Sequence, residues 1–598
     1  MIDLIAFQIA FVVIVLAFDL NPLEWVLLGI LCRRRTFFTS WRGFDTIETK
    51  LAQFAERRRL VILLATLVPI AVRVLLLPIY PVPVPAITDE FSYLLAGDTF
   101  AHGRLANPPH PMWTHFESIH IIQQPTYSSQ YLPAQGMVLA LGQVLGNPWI
   151  GLLLSMGLMC GVVVWMLQQM LPARWALLGG AICAIHIGIT SYWVNSYWGG
   201  CVAAIGGALA VGAYVNIEKR PTIKHSLLLV LGVALLANSR PFEGLIFCAL
   251  LGGVLAWRLF RNRRITWGPV LGRLIIPATL ALLTLGAGMA YFNFRVTGNP
   301  LKIPYAVNRE TYGWPLTLPW FHTAAITHRH RQMRLYYEFE SRILREKNSL
   351  WAQIVYFTLH VQILWRFFIG PALTIPLVFL RRAFHDRMML LPAVLTVALF
   401  VVMMLEAGFP HYMAPVTGCI FALLVQCIRH LRVYRRNSDQ LGLQLSRIVM
   451  VVVAITCIAH VIARAAHIPV MTGGNYLSSC CTPDEGMARV TAIRELLSVP
   501  GSHLVFVNYQ RQEFYPREWV YNAADIDGSR IIWAQDMGPE RNLELLRYYP
   551  NRRAWMAYPD RRPYRLAPYP PMPDVSAIPI QIVLGGPEKN REEGGVHK

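Results

Sequence analysis

Apolar runs long enough to cross a bilayer, separated by short clusters of arginine, are what most restricts the fold of this chain. Such runs occupy 149–170, 242–260, 271–294, 355–380 and 448–465. A spanning helix needs roughly 20 residues. Inside lipid a helix satisfies its own backbone hydrogen bonds, so the runs predict a helical bundle. A membrane barrel would show short segments of alternating polarity instead. Composition agrees: 55% of the 598 residues are hydrophobic and 15% charged, against about 25% charged in ordinary globular chains.

The net charge is +20, which by itself would suit nucleic acid. Its placement argues against that partner, because the basic residues sit in short loops between apolar runs, the pattern that orients membrane proteins. The lipid bilayer and its anionic headgroups are the expected partners. Residues 33–59 carry two arginine triplets and are expected inside; 60–80 is the first helix to exit. Further spans are expected at 149–170, 175–192, 200–215, 227–238, 242–260, 271–294, 355–380, 388–405, 412–428 and 448–465. Alternating them puts 218–220, 261–264, 381–382 and 429–436 on the inner side, which supports about twelve transmembrane helices. The first 20 residues read as a retained span or re-entrant anchor, since they lack the basic leader and cleavage site of a signal peptide. The ten cysteines form neither a disulfide framework nor a zinc spacing. Most lie in apolar runs, whereas Cys480 and Cys481 are adjacent near the start of a polar region.

Three regions result. Residues 1–58 form an anchor and a basic cytoplasmic loop; 59–466 form the transmembrane domain, with exterior loops 81–148 and 295–350; 467–598 form a small extracytoplasmic α/β domain. Strand-like runs at 504–507, 530–534 and 554–557 alternate there with helical stretches at 483–497 and 540–548. The tail from 585 has a disordered composition. The apolar run 133–146 is too short to span and is expected along the membrane surface. Loop 295–350 is strongly basic for an exterior loop, with Arg329, Arg331, Arg334, Arg342, Arg345 and Lys347. It reads either as a solvated amphipathic helix paired with Glu338, Glu340 and Glu346, or as a surface for an anionic ligand.

The acidic pair Asp89-Glu90 opens the first exterior loop, followed by Tyr93 and by His102, His110, His115 and His120. Transfer to an acceptor hydroxyl needs a base within hydrogen-bond reach, and a phosphate leaving group needs Arg, Lys, His or a metal. Asp89 is therefore the candidate base and Glu90 a supporting or metal-contacting group; both also suit a helix start. The histidines lack metal-ligand spacing, so solvated or locally bonded rings are expected. In 238–244, Arg240 and Glu243 interrupt apolar helices at the outer level. They form either a mutual salt bridge or, through Arg240, a phosphate grip. Glu406 and His411 occupy a similar break and are candidate cavity residues. Trp193 and Trp198 read as an interfacial belt or as a platform for a sugar ring. Asp525, Asp527 and Asp536 lack the pattern of a calcium loop and read as turn acids.

The exit helix, Asp89-Glu90 and Tyr93, the loop residues Pro125, Tyr127 and Pro133, and the run 141–146 before closely spaced helices together resemble the GT-C superfamily of membrane glycosyltransferases. The likeness is to its protein O-mannosyltransferase and lipid A aminoarabinose-transferase branch, over 60–260. It implies a polyprenyl-phosphate sugar donor, transfer on the outer face of the cell (inner) membrane, and an acid in the first exterior loop acting on the acceptor, here Asp89 with Glu90 beside it.

The expected function is transfer of a sugar from that donor to an extracytoplasmic glycan, lipid or protein, with no certain cofactor and a divalent cation as an option. The alternatives are a polytopic transporter or lipid flippase, which would show paired repeats with broken helices, and a noncatalytic cell-envelope assembly protein in which Asp89 only caps a helix.

Overall fold

A computed structural model describes residues 22–261, 266–313, 326–346, 349–404, 408–436, 439–468 and 486–569. The expected first span over 1–20, Lys347, Glu406, Cys480, Cys481 and the tail from 585 lie outside the described residues.

Six described helices are long and apolar enough to cross a membrane: Pro148–Met170, Cys201–Lys219, Pro241–Arg261, Trp267–Thr297, Pro410–Arg432 and Leu441–Ala465. A seventh span is made if Leu350–Phe368 and Gly370–Phe384 count as one, bent by 98°. This is fewer than the about twelve that hydropathy suggests. The difference has local causes. The expected spans 175–192, 227–238 and 388–405 fall on the shorter helices Ala173–Gly188, Ile223–Ala237 and Arg387–Met403. The exit segment forms Arg58–Leu75, which carries Arg73 near its end and Pro69 inside.

Each helix begins or ends where its sequence requires. Asn147 caps Pro148–Met170 by accepting from the Trp149 N–H at 2.9 Å. Gly207 lets Cys201–Lys219 approach the Pro410–Val416 turn: a Cβ there would lie 1.8 Å from the Pro415 carbonyl oxygen. Small residues at such crossings are how helices without a hydrophobic driving force pack closely.

The arginine clusters gather at one end of the bundle. Arg447 bonds Glu48 (2.9 Å), Asp45 (2.6 Å) and the Phe38 carbonyl (2.6 Å), and Arg432 bonds Glu48 at 2.6 Å. Gln168 reaches the Arg58 carbonyl at 3.2 Å, and Lys219 the Gln169 carbonyl at 3.0 Å. The 81–148 loop lies at the other end of Arg58–Leu75. Its exit is pinned by Arg73, whose buried guanidinium bonds Asn195 Oδ1 (2.8 Å) and the Tyr80 carbonyl (2.8 Å) and stacks on Trp149 at 4.8 Å.

That loop builds the helices Thr88–Ala101 and Pro133–Val144 and a two-stranded ribbon, β1 (Ile121–Ile122) with β2 (Ser128–Ser129). Pro133–Val144, 12 residues long, is too short for a hydrocarbon core about 30 Å thick. It packs on Thr88–Ala101 and leaves Met137, Leu141 and Val144 exposed.

The C-terminal region is a four-stranded sheet in the order β4 (Ile531–Gln535), β3 (His503–Val507), β5 (Arg553–Tyr558), β6 (Arg565–Pro568). β3 runs parallel to both neighbours, and β6 closes the sheet antiparallel to β5. Strand side chains alternate between faces. Leu504 and Phe506 meet Leu545 of the helix Pro539–Tyr548, while Val505 and Val507 meet Ala492 and Leu496 of the helix Met487–Ser498. The first of these cores also contains Leu95, Phe116, Ile121 and Tyr127, so the sheet is built onto the 81–148 loop.

Candidate active site

The two adjacent acids have different fates. Glu90 turns back: its Oε2 accepts from the Ala86 and Ile87 N–H groups (2.8 and 3.3 Å), and its Oε1 from the Tyr197 N–H (3.1 Å). Glu90 is therefore the cap of Thr88–Ala101 and ties it to the Tyr192–Trp198 turn. Only 1% exposed, it feels burial most, which raises its carboxyl to about 7 against the pull of those three N–H groups. With capping done by its neighbour, Asp89 points away, its side chain 23% exposed.

Asp89 Oδ1 accepts the Tyr131 hydroxyl at 2.5 Å, and Asp89 Oδ2 lies 3.7 Å from His120 Nε2. Tyr131 stacks on Tyr93, ring centres 4.1 Å apart. His120 is held from several sides. Gln130 Nε2 donates to its Nδ1 at 2.8 Å, which leaves Nε2 as the protonated nitrogen of the neutral ring. That Nε2 faces the Tyr336 hydroxyl at 3.2 Å as well as Asp89. Its carbonyl accepts Ser92 Oγ (2.7 Å) and the Gln130 N–H (3.1 Å). The backbone at His120 is left-handed, φ 65°, an uncommon state for a residue with a side chain. Burial lowers its imidazolium below the usual range, and Asp89 pulls it back up.

The 238–244 turn reaches the same place. The Asn238 carbonyl accepts the Ala134 N–H at 3.0 Å, joining this turn to the segment after Tyr131. Burial pushes the Tyr93 phenol up to about 12; Arg240 opposes that, while Asp89 and Glu243 add to it, so all four share one electrostatic neighbourhood. Arg240 does not form the expected salt bridge with Glu243. Its guanidinium stacks on Tyr412 at 5.0 Å, and Glu243 Oε1 is buried without a hydrogen-bond partner. A partly exposed guanidinium that rests on a ring keeps its N–H groups for an anion.

Of the other expected residues, His411 stays beside this group, its ring 4.6 Å from that of Tyr412 on which Arg240 stacks. His411 is buried, accepts or donates through Nδ1 with the Tyr192 hydroxyl (2.8 Å), and lies 4.5 Å from the Trp198 ring. Trp193 is fully buried against Gly199, Gly200 and Phe367, so neither ring face is open to a sugar. Of the two states expected for the loop histidines, solvated or locally bonded, three of the four rings are bonded, to partners far along the chain rather than local ones. His110 bonds Asp527 (3.1 Å), His115 bonds the Arg541 carbonyl (3.1 Å), and His120 serves the site; His102 alone of the four is exposed. Asp525 and Asp536 are turn acids, accepting the Gly528 and Gly538 N–H groups. Among the described residues, no group of three His, Cys, Asp or Glu side chains converges as a metal site.

Sequence reasoning missed Tyr131 and Tyr336. Tyr336 comes from the basic 295–350 loop, whose helix Arg331–Glu346 includes the expected Arg334–Glu338 pair at 3.8 Å. That helix is locked to the outer loop: buried Glu117 bonds Arg329 at 3.1 Å and Tyr312 at 3.2 Å and lies 3.1 Å from His330 Nε2.

No family profile matches the sequence, and no curated protein is significantly similar to it. Solved structures with some likeness in shape include forms of the Archaeoglobus fulgidus oligosaccharyltransferase. The form tethered to an acceptor peptide has a TM-score of 0.41 at 11% identity, over 83% of this chain and 68% of that one. The form with an inhibitory peptide and a dolichol-phosphate has a TM-score of 0.38 at 12% identity, over 75% and 62%. Likeness at this level fixes neither the fold nor the chemistry.

Proposed function

We propose that this chain is a membrane glycosyltransferase that moves a sugar from a polyprenyl-phosphate donor to an acceptor hydroxyl on the non-cytoplasmic face. Two observations support the reading: Asp89 is partly exposed and relieved of capping, and Arg240, whose guanidinium makes no hydrogen bond among the described residues, acts with Asp89 on the same Tyr93 phenol. One is a base for an acceptor, the other a grip for a leaving phosphate. Both lie at the end of the bundle opposite the arginine clusters, where a lipid-borne phosphate lies at headgroup depth.

In this reading Asp89 takes the acceptor proton as the oxygen attacks the anomeric carbon. The bond from that carbon to the lipid phosphate breaks, and Arg240 meets the charge left on the phosphate. The Tyr131 hydroxyl holds Asp89 Oδ1, and His120 Nε2 stands 3.7 Å from Oδ2. The acceptor, whether glycan, lipid or protein, is left open by these residues.

The test is transfer from radiolabelled polyprenyl-phosphate sugars in native membranes, wild type against Asp89→Asn. Loss of a positioned base lowers the rate by about 10²–10⁴-fold. Equal rates in two equally inserted proteins would remove Asp89 as the base. An absence of transfer from every donor in wild type would leave transport or assembly as the function.

A further inference from the structure

A cavity of mixed polar and apolar lining lies within the bundle and contains none of the residues gathered around Asp89. Its polar lining is Glu24, His186, Thr190, Arg366, Thr456 and His460. The Leu441–Ala465 span contributes Val453, Thr456, Cys457 and His460, at the three- and four-residue spacing of one helix face. Those positions begin at the middle of that span. Ionisable groups at such depth are costly and mark polar pathways or sites.

The backbone is irregular on the two other sides. His186 lies in the π-helical turn Ala184–Gly188, with which the helix that begins at Ala173 ends. Arg366, Gly370 and Pro371 flank the 98° break between Leu350–Phe368 and Gly370–Phe384, where Gly370 has φ 69°. Backbone that departs from the α-helix at membrane depth is tolerated where it is buried in protein or lines a polar cavity, and π-turns gather at functional sites.

The donor and acceptor inventory favours an anion. The one carboxylate, Glu24, is turned to the backbone and accepts the Ala372 N–H at 2.8 Å. His186 Nε2, His460 Nε2 and Thr456 Oγ1 are buried polar atoms with no hydrogen-bond partner, and Thr456 is 4% exposed. A buried polar atom left unmet bears its full cost of desolvation. His460 Nε2 and Thr456 Oγ1 can each donate and, beside the Arg366 guanidinium, match an oxyanion, whereas His186 gives its ring hydrogen to the Arg366 carbonyl and is left as an acceptor.

We propose that this cavity is a second binding site, separate from the Asp89–Arg240 site, and that it takes a phosphate group, either of a membrane lipid or free. The inference does not rest on the glycosyltransferase reading. The test is thermal unfolding of the purified full chain in detergent, titrated in separate arms with dioleoyl phosphatidic acid, dioleoylglycerol and inorganic phosphate. Phosphatidic acid is expected to raise the midpoint saturably, and dioleoylglycerol, with the same tails, to leave it unchanged. A rise with inorganic phosphate assigns the site to free phosphate; a rise with phosphatidic acid alone assigns it to a headgroup. His460→Leu and Thr456→Val are each expected to raise the half-saturating concentration roughly tenfold. Equal rises with phosphatidic acid and dioleoylglycerol and none with inorganic phosphate, no rise in either phosphate arm, or wild-type binding by both cavity variants would overturn the proposal. The three arms on wild type decide it even where a variant fails to fold.

Discussion

Glu90→Gln should remove a pH dependence from the stability of this protein. In the folded chain burial raises the Glu90 carboxyl from the ordinary 4.5 to about 7. A group whose folded pKa is raised gives stability that is fully present below 4.5 and is lost as pH rises through about 7. That interval corresponds to roughly 3 kcal/mol. No discount for solvent is needed, because Glu90 is 1% exposed. The amide of the variant would still offer one oxygen to the Ala86 and Ile87 N–H groups, but an amide does not titrate. The assay is unfolding in a dodecylmaltoside–SDS series, followed by tryptophan fluorescence at half-unit steps from pH 4.5 to 8. Wild-type stability minus variant stability should fall by roughly 3 kcal/mol across that range, most steeply midway between 4.5 and about 7. A flat difference would mean that Glu90 is solvated or paired with a cation, and the division of labour between Glu90 and Asp89 would collapse with it.

Tyr131→Phe removes the hydroxyl that holds Asp89 Oδ1; transfer should fall about tenfold, the worth of a hydrogen bond to a charged group, with insertion unchanged by protease mapping. Arg240→Gln removes the guanidinium resting on Tyr412. If it meets the leaving phosphate, kcat should drop by about 10²-fold or more, and a change confined to KM would show that it only binds the donor. Gly207→Ala places a methyl 1.8 Å from the Pro415 carbonyl oxygen; the helices must part, at about 1–3 kcal/mol, read as a lower unfolding midpoint.

Local pattern carried much of this architecture. The expected strands at 504–507, 530–534 and 554–557 lie almost wholly within β3, β4 and β5, because buried parallel strands are written as short apolar runs. β6 escaped notice since its last residue, Pro568, reads as a strand breaker rather than an edge. Hydropathy also merged 175–192 into one span, where the chain in fact turns through the π-helical segment at Ala184–Gly188. At the site, an acid at a helix start was legible, but not which acid does the capping. That choice is made by the Tyr197 N–H, 107 residues further on. Likewise nothing near His120 announces its burial, since Tyr336 arrives from 216 residues away.

Asp98 bears on how the molecule is made. Its Oδ1 accepts from Gln143, and its Oδ2 from the Ala524 N–H, 426 residues later. Phe91, on the same helix as Asp89, likewise rests on Tyr521. The helix that carries Asp89 therefore finds these neighbours only once residues 521–524 have been synthesised and folded. A nascent chain stalled after its membrane spans would hold Asp89 on an unsupported loop. If Asp89 is the base proposed above, transfer waits on the sheet formed by 503–568.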